Sequence, residues 1–320
     1  MPLIPSNYQP SFLFKNGHFS TIYSSKMRVC PELIQKRERV ILPDKDFIDV
    51  DWSFSDIPTK KVAILLHGLE GNAQRTYIKG AANTLLKENW DIAAMNFRGC
   101  SGEDNKLYQS YHSGKTDDLE AIINHILEKD NYKEIVLVGF SLGGNLLLKY
   151  LGERDIIPKK IKKGIAISVP TSLRGSLDCL SEPKNWLYRT IFLISLRNKY
   201  QLKMEQHSDK MFTSELKNIK TLKDFDDIYT SKAHGFKDAY DYYKINSSNQ
   251  FLANIKIPTL ILNAKNDSFL NHDCFPFNIA DNSKSLHLET PLYGGHVGFH
   301  LTNDTYYSEK RTVEFLKEIP

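Results

Sequence analysis

The sequence has few cysteines, no long apolar run and almost no excess charge, and each absence excludes a class of protein. The four cysteines in 320 residues form no C-x-x-C pair, so neither a zinc site nor a redox dithiol is expected. The 42 basic and 38 acidic side chains leave a formal net charge of +4. For a chain of 320 residues that charge is too small to indicate binding to nucleic acid or to an anionic membrane.

No stretch is long enough to cross a bilayer. The uncharged stretch 135–148 contains Ser141 and Asn145 and is shorter than the roughly 20 apolar residues that a spanning helix needs. The first twenty residues lack a basic region followed by an apolar one, so no signal peptide is expected. We therefore expect a cytoplasmic protein with reduced thiols and no integral membrane segment. Nothing in the sequence indicates the oligomeric state.

A strand-then-helix alternation organises most of the chain. Short and nearly continuous apolar runs, typical of parallel strands covered on both faces, lie at 61–67, 91–97, 134–139, 161–169 and 257–263. An amphipathic helix is predicted over 116–129, with acidic side chains in its first turn. The runs 35–42 and 47–52 predict an antiparallel hairpin at the sheet edge. The fold class is therefore α/β, with a mostly parallel sheet between helices.

The segment 171–250 breaks this rhythm. It is rich in aromatic and charged side chains and has no convincing strand, so we interpret it as a helical cap insertion over the sheet. Residues 1–170 and 251–320 then form the core, with an N-terminal arm over 1–34.

The motif G-F-S-L-G at 139–143 carries the chemistry. It follows a predicted strand and opens a helical run over 142–152, which is the strand–turn–helix setting of a nucleophile elbow. The tight turn strains the serine backbone and leaves no room for bulky neighbours, which explains the glycines. Ser141 is therefore the candidate nucleophile.

A serine needs a base to take its proton and a carboxylate to orient that base. In α/β folds that carry a nucleophile elbow, the three residues follow along the chain in the order Ser, acid, His. His296 lies in the glycine-rich loop Y-G-G-H-V-G, between a predicted last strand at 285–290 and a terminal helix at 304–318. Asp267 lies just past the strand at 257–263. The rival histidines are His272, His287 and His300, and the rival acids are Asp273 and Asp281.

Acyl transfer also needs donors for the negative charge that develops on the substrate oxygen. The segment H-G-L-E-G at 67–71 follows a predicted strand, where the hydrolase fold has its first oxyanion loop. The predicted donors are the backbone N–H groups of Leu69 and Leu142. His67 is expected to orient the loop and not to act in catalysis.

The chain resembles the YheT-type branch of the α/β-hydrolase superfamily over about 300 residues. The matching stretches are NGHFSTI (16–22), HGLEG (67–71), NFRGCSGE (96–103), YHSGKTDDL (111–119), GFSLGGNLLLKYLGE (139–153), SVP (168–170), HGFKDAYDYY (234–243) and GGHVGF (294–299). The resemblance implies an Ser141–Asp267–His296 triad acting on carboxylic esters, in some relatives lipid esters. We expect no N-terminal anchor of the kind found in eukaryotic relatives, and this expectation weakens the case for a membrane-lipid substrate.

The expected function is hydrolysis of esters with short to medium acyl chains, through an acyl-enzyme and without cofactor or metal. A helix predicted over 186–196 is expected to use Phe192 and Ile194 to limit acyl length. Two alternatives stay open. One is an acyl hydrolase or acyltransferase acting on phospholipids or acylglycerols, for which an H-x-x-x-x-D pattern runs from His112 to Asp117. The other is a scaffold that binds lipid without catalysis.

Overall fold

A nine-stranded sheet forms the centre of the molecule in the computed structural model, which describes residues 3–30, 32–302 and 305–318. The strands are β1 (Leu3–Ile4), β2 (Lys36–Ile41), β3 (Phe47–Ser53), β4 (Lys61–Leu66), β5 (Asp91–Asn96), β6 (Glu134–Phe140), β7 (Ile161–Ile167), β8 (Thr259–Leu262) and β9 (Leu286–Glu289).

The strand order is β1-β9-β8-β7-β6-β4-β5-β3-β2, and β3 pairs antiparallel with both of its neighbours. The other pairs are parallel. The predicted fold class and edge hairpin are therefore confirmed.

Helices cover both faces of the sheet. They are α1 (Gly17–Lys26), α2 (Thr76–Leu86), α3 (Thr116–Glu128), α4 (Leu142–Glu153), α5 (Leu173–Ser181), α6 (Trp186–Gln206), α7 (Thr213–Asn218), α8 (Leu222–Phe225), α9 (Ser231–His234), α10 (Ala239–Asn246), α11 (Phe277–Asn282) and α12 (Tyr307–Lys317). A π-helical turn, Asp226–Thr230, joins α8 to α9. None of the helices in the described ranges is long and apolar enough to cross a membrane.

Alternation along the strands builds two cores. In β4, Val62, Ile64 and Leu66 face α3 and α4, whereas Ala63 and Leu65 face α2 and α12. Because these strands are covered on both sides, nearly every position in them is buried, which is why their sequences read as continuous apolar runs.

Some boundaries differ from the sequence prediction. The terminal helix was predicted to begin at Asp304, which lies outside the described residues, and the observed helix begins at Tyr307. The run at 257–263 yields a strand only from Thr259, because Pro258 offers no N–H for a sheet. The arm over 1–34 contains β1, which pairs with β9, and α1, neither of which was predicted.

Between β7 and β8 the chain is helical. The described residues 171–250 contain α5 to α10 and no strand. Side chains from α6, α8 and the π-helical turn form an apolar cluster of their own, which Phe269 from the core joins. This cluster fixes the position of α6 relative to the loop after β8.

Candidate active site

The sequence-predicted site residues meet at one edge of the sheet. Ser141 follows β6, Asp267 follows β8, and His296 lies in the loop after β9, while the loop after β4 carries Leu69. Parallel strands present their carboxyl ends at the same edge, which is where open α/β sheets form ligand sites.

Ser141 occupies a strained turn between β6 and α4. Its φ of 51° and ψ of −121° are unfavourable for a residue with a side chain. The strain is held in place by close backbone packing, because a Cβ at Gly143 would lie 2.4 Å from the carbonyl oxygen of Leu66. A Cβ at Gly139 would meet the carbonyl oxygen of Gly143 at the same distance. The turn therefore requires both glycines.

Three side chains form a continuous hydrogen-bond relay. His296 Nε2 lies 2.9 Å from Ser141 Oγ, and His296 Nδ1 lies 2.8 Å from Asp267 Oδ2. A neutral imidazole with its proton on Nδ1 donates to Asp267 and accepts the hydroxyl proton of Ser141. The Asp267 side chain is fully buried, so solvent does not compete for that bond.

The His296 loop is held by groups on both sides. The backbone N–H of His296 donates to Thr21 Oγ1 (2.8 Å), and the N–H of Gly295 donates to Asn266 Oδ1 (2.9 Å). Thr21 belongs to α1, so the N-terminal arm contacts the catalytic loop directly. Sequence reasoning missed this role, although the NGHFSTI stretch was the available signal.

The acid loop is equally ordered. Asp267 Oδ1 accepts the N–H of Phe269 at 2.9 Å, and the Phe269 ring packs on the His296 imidazole with centroids 4.2 Å apart. The rival Asp273 instead contacts the exposed His272 at 3.0 Å, and Asp281 is exposed within α11.

The remaining rival histidines lie elsewhere. His300 stacks on Phe14 with ring centroids 3.8 Å apart, and His287 packs edge-on against Phe315. No hydrogen bond joins either of them to Ser141 within the described chain.

The two predicted oxyanion donors flank Ser141. The loop after β4 passes directly against the serine, since a Cβ at Gly68 would lie 3.1 Å from Ser141 Cβ. Leu69 is the next residue along, and Leu142 opens α4, whose N-terminal end favours negative charge. In the described ranges neither of these N–H groups donates a hydrogen bond to the protein.

His67 holds the loop after β4 in place through hydrogen bonds of its ring nitrogens. It is fully buried, its Nδ1 lies 2.8 Å from the carbonyl oxygen of Gly68, and its Nε2 accepts the N–H of Phe97 at 3.1 Å. Both nitrogens are thus engaged in the neutral state, and a second ring proton would point at the N–H of Phe97. Burial lowers the pKa of His67 to about 3.

Glu70 connects the loop after β4 to α6. It adopts a φ of 54°, its N–H donates to the hydroxyl of Tyr111, and its carboxylate accepts hydrogen bonds from Tyr111 (2.6 Å) and Ser195. Lys199 forms an ion pair with the same carboxylate at 2.9 Å. Ser195 and Lys199 both lie on α6, so the cap contacts the residue next to Leu69.

A cavity of about 1240 Å³, counting the part open to solvent, is lined by Ser141 and by residues of α5 and α6. Its apolar wall includes Leu69, Leu142, Leu173, Leu177, Leu180, Phe192, Leu196, Leu222, Phe225 and Phe269. This lining suits an acyl chain.

The structure corrects one expectation about α6. Phe192 lines the cavity, but Ile194 lies on the outside with 55 % of its surface exposed. Residues two apart on an α-helix do not share a face, so Phe192 and Ile194 point in different directions. Trp186, Leu187 and Ile191 are likewise exposed.

The pattern from His112 to Asp117 does not form a catalytic pair. His112 Nδ1 accepts the N–H of Gly114, and its ring packs against His234 with centroids 4.5 Å apart. The Asp117 side chain is 77 % exposed and contacts Lys115 at the start of α3. The contacts of His112 and Asp117 therefore give no support to the hypothesis that this pattern is an acyltransferase motif.

Comparison with known proteins gives consistent results. The family model for the alpha/beta hydrolase fold matches residues 62–274. The protein YheT of Escherichia coli (strain K12) is 31% identical over 293 residues, covering 89% of this chain and 85% of its own. Phospholipase ABHD3 of Bos taurus is 28% identical, with coverages of 93% and 74%. The solved esterase Pf2001 of Pyrococcus furiosus is 18% identical and superimposes with a TM-score of 0.60 over 92% of this chain and 96% of its own.

We expect the burial of His67 to make stability depend on pH. Below about pH 6.5, His67 binds a proton in the unfolded chain but stays neutral in the folded protein. The folded state therefore loses stability as the pH falls. From pH 7 to pH 5 this histidine alone should lower the free energy of unfolding by about 2 kcal/mol. Urea unfolding of the wild type and His67→Gln at both pH values checks this. A stability difference between the two proteins that stays constant with pH would contradict it.

We also expect Thr21 to be a positioning residue for His296. Thr21→Val removes the acceptor of the His296 N–H without changing volume, and kcat should fall about tenfold, which corresponds to about 1.4 kcal/mol. KM should change little, because Thr21 does not line the cavity. Thr21→Ser retains the hydroxyl and should restore kcat. Equal loss in both variants would argue against the hydrogen bond as the cause.

Proposed function

The chain belongs to the α/β-hydrolase family, and from this membership and the geometry of the site we propose that it is a serine esterase for esters with short to medium acyl chains. The relay from Ser141 Oγ through His296 to Asp267, with separations of 2.9 and 2.8 Å, carries the proposal. It supplies a nucleophile, a general base and an orienting carboxylate in one line.

In the first half-reaction, Ser141 Oγ attacks the ester carbonyl carbon while His296 Nε2 takes the hydroxyl proton. The carbonyl oxygen becomes negatively charged and is stabilised by the N–H groups of Leu69 and Leu142. His296 then returns the proton to the alcohol oxygen as its bond to carbon breaks. The alcohol leaves, and the acyl group stays on Ser141.

In the second half-reaction, a water molecule attacks the acyl-enzyme as His296 takes one of its protons. The same two N–H groups stabilise the second tetrahedral intermediate. Its collapse releases the carboxylic acid, and the proton on His296 restores the Ser141 hydroxyl. Throughout, Asp267 fixes the imidazole tautomer and balances its positive charge.

We assign residues 171–250 to a cap domain and residues 1–170 with 251–320 to the core. The apolar wall that α5 and α6 contribute supports binding of an acyl chain beneath the cap. A lipid ester is the second candidate substrate, favoured by this lining and by the similarity to a protein named phospholipase ABHD3. We also propose that the protein is located in the cytoplasm.

Labelling and turnover test the proposal together. A fluorophosphonate probe should label the wild type and not Ser141→Ala, and turnover of p-nitrophenyl esters should fall in that variant by about 10⁴-fold or more. Asp267→Asn should give a loss of similar order, because the amide no longer stabilises the charged imidazole. Chelation should leave the activity unchanged.

Asp273→Asn is the matched control, since Asp273 is a surface carboxylate in the same loop region. It should stay within a few-fold of wild type. A wild type that the probe does not label would support the scaffold alternative. If the enzyme transfers the acyl group to an alcohol, added acceptor alcohol should give a second ester product. Full turnover in Ser141→Ala would exclude the serine mechanism.

Chain-length preference should depend on Phe192. Replacing it with alanine removes a ring from the cavity wall and should shift the optimum towards longer acyl chains. Ile194→Ala, two residues away on the outer face of α6, is the matched control and should keep the wild-type profile. A panel of esters with graded acyl length measures both. The same profile in all three proteins would mean that chain length is limited elsewhere.

A further inference from the structure

Lys203 is a buried cation in the wall of the cavity that holds Ser141. It lies on α6, and only 9 % of its surface is exposed. Its ammonium donates a 2.8 Å hydrogen bond to the carbonyl oxygen of Asn105, which also lines the cavity. Within the described chain it forms no ion pair with an acidic side chain.

One carbonyl is a poor environment for a buried ammonium, which has three donors and a full charge. Burial lowers the pKa of Lys203, although the carboxylates of Asp46 and Asp104 act in the opposite direction. Asp46 is already engaged, since it accepts from the Asn105 side chain and from the N–H of Lys106. Asp104 also lines the cavity, but no carboxylate oxygen in the described ranges lies within 4.0 Å of the Lys203 ammonium. Lys203 thus lacks the close counter-charge that buried lysines usually have.

Lys199, one turn earlier on the same helix, provides the contrast. It also lines the cavity, but it forms an ion pair with Glu70 at 2.9 Å and a hydrogen bond with Cys100 Sγ at 3.1 Å. Its charge is therefore neutralised within the protein. Of the two lysines in the described cavity wall, only Lys203 is without a carboxylate partner.

We propose that Lys203 binds an anionic group, a phosphate or a carboxylate, that is part of the ester substrate. The two unused donors of its ammonium would form charge-assisted hydrogen bonds with the anionic oxygens. Ser141 and Lys203 line the same cavity, and in this proposal one ester molecule contacts both. This inference rests on the proposed esterase function and specifies its substrate class.

Such a site would select anionic esters over neutral ones. A neutral ester that fills the cavity leaves the Lys203 ammonium with a single carbonyl partner. An anionic ester adds charge-assisted hydrogen bonds to the two remaining donors. Discrimination by a buried polar group left unpaired is large compared with discrimination by apolar contact.

The first test uses three hexanoyl esters that differ in one group: hexanoylglycerol, its phosphate ester, and the hexanoyl ester of glyceric acid. The wild type should have a kcat/KM about tenfold or more higher for an anionic ester than for the neutral one. The anionic ester that is preferred distinguishes phosphate from carboxylate. In Lys203→Met the ratio of anionic to neutral kcat/KM should fall about tenfold, whereas Lys210→Met should keep it, since Lys210 is exposed outside the cavity.

The second test does not depend on turnover or on folding of the Lys203 variant. Calorimetry with Ser141→Ala should give a Kd about tenfold lower for hexanoylglycerol phosphate or the glyceric acid ester than for hexanoylglycerol. Equal affinity for all three, or a ratio unchanged in folded Lys203→Met, would overturn the proposal. Absence of hydrolysis and labelling in the wild type would refute the esterase function instead, and calorimetry would still report on the anion site.

Discussion

The whole site depends on how closely the turn after β6 packs on the end of β4. Gly143 lies so near the carbonyl oxygens of Leu66 and His67 that no side chain fits between them. This contact holds Ser141 in its strained conformation and brings the loop after β4 against it. A backbone held this way has little to reorganise during the reaction, which is the condition for effective electrostatic stabilisation.

The relay around His296 is built from distant parts of the chain. Its loop donates hydrogen bonds to Thr21 of α1, near the N-terminus, and to Asn266 in the loop after β8. Phe269 covers the imidazole and also joins the apolar cluster of the cap. The orientation of the His296 side chain is thus fixed by two segments distant in sequence, α1 and the loop after β8, so a change in either should alter the position of His296.

Polar contacts join α6 to the loop after β4, which packs against Ser141. Glu70, the residue after Leu69, accepts hydrogen bonds from Tyr111 and Ser195 and forms an ion pair with Lys199. Partly buried ion pairs tie segments together specifically while adding little net stability. This arrangement would make the geometry of the oxyanion loop sensitive to the position of α6, which also carries Phe192 and Lys203.

The sequence alone determined eight of the nine strands, the edge hairpin and the candidate nucleophile, acid and base, because these follow from local patterns. Continuous apolar runs mark buried strands, and Gly139 and Gly143 mark the turn around Ser141. It did not reveal the contact of Thr21 with His296 or the partners of Glu70, since each joins residues more than 40 positions apart. Nor did it place Ile194, whose side of α6 depends on how the helix docks. Only tertiary packing decides these features, because contacts between residues that are distant in the sequence produce no periodic pattern in it.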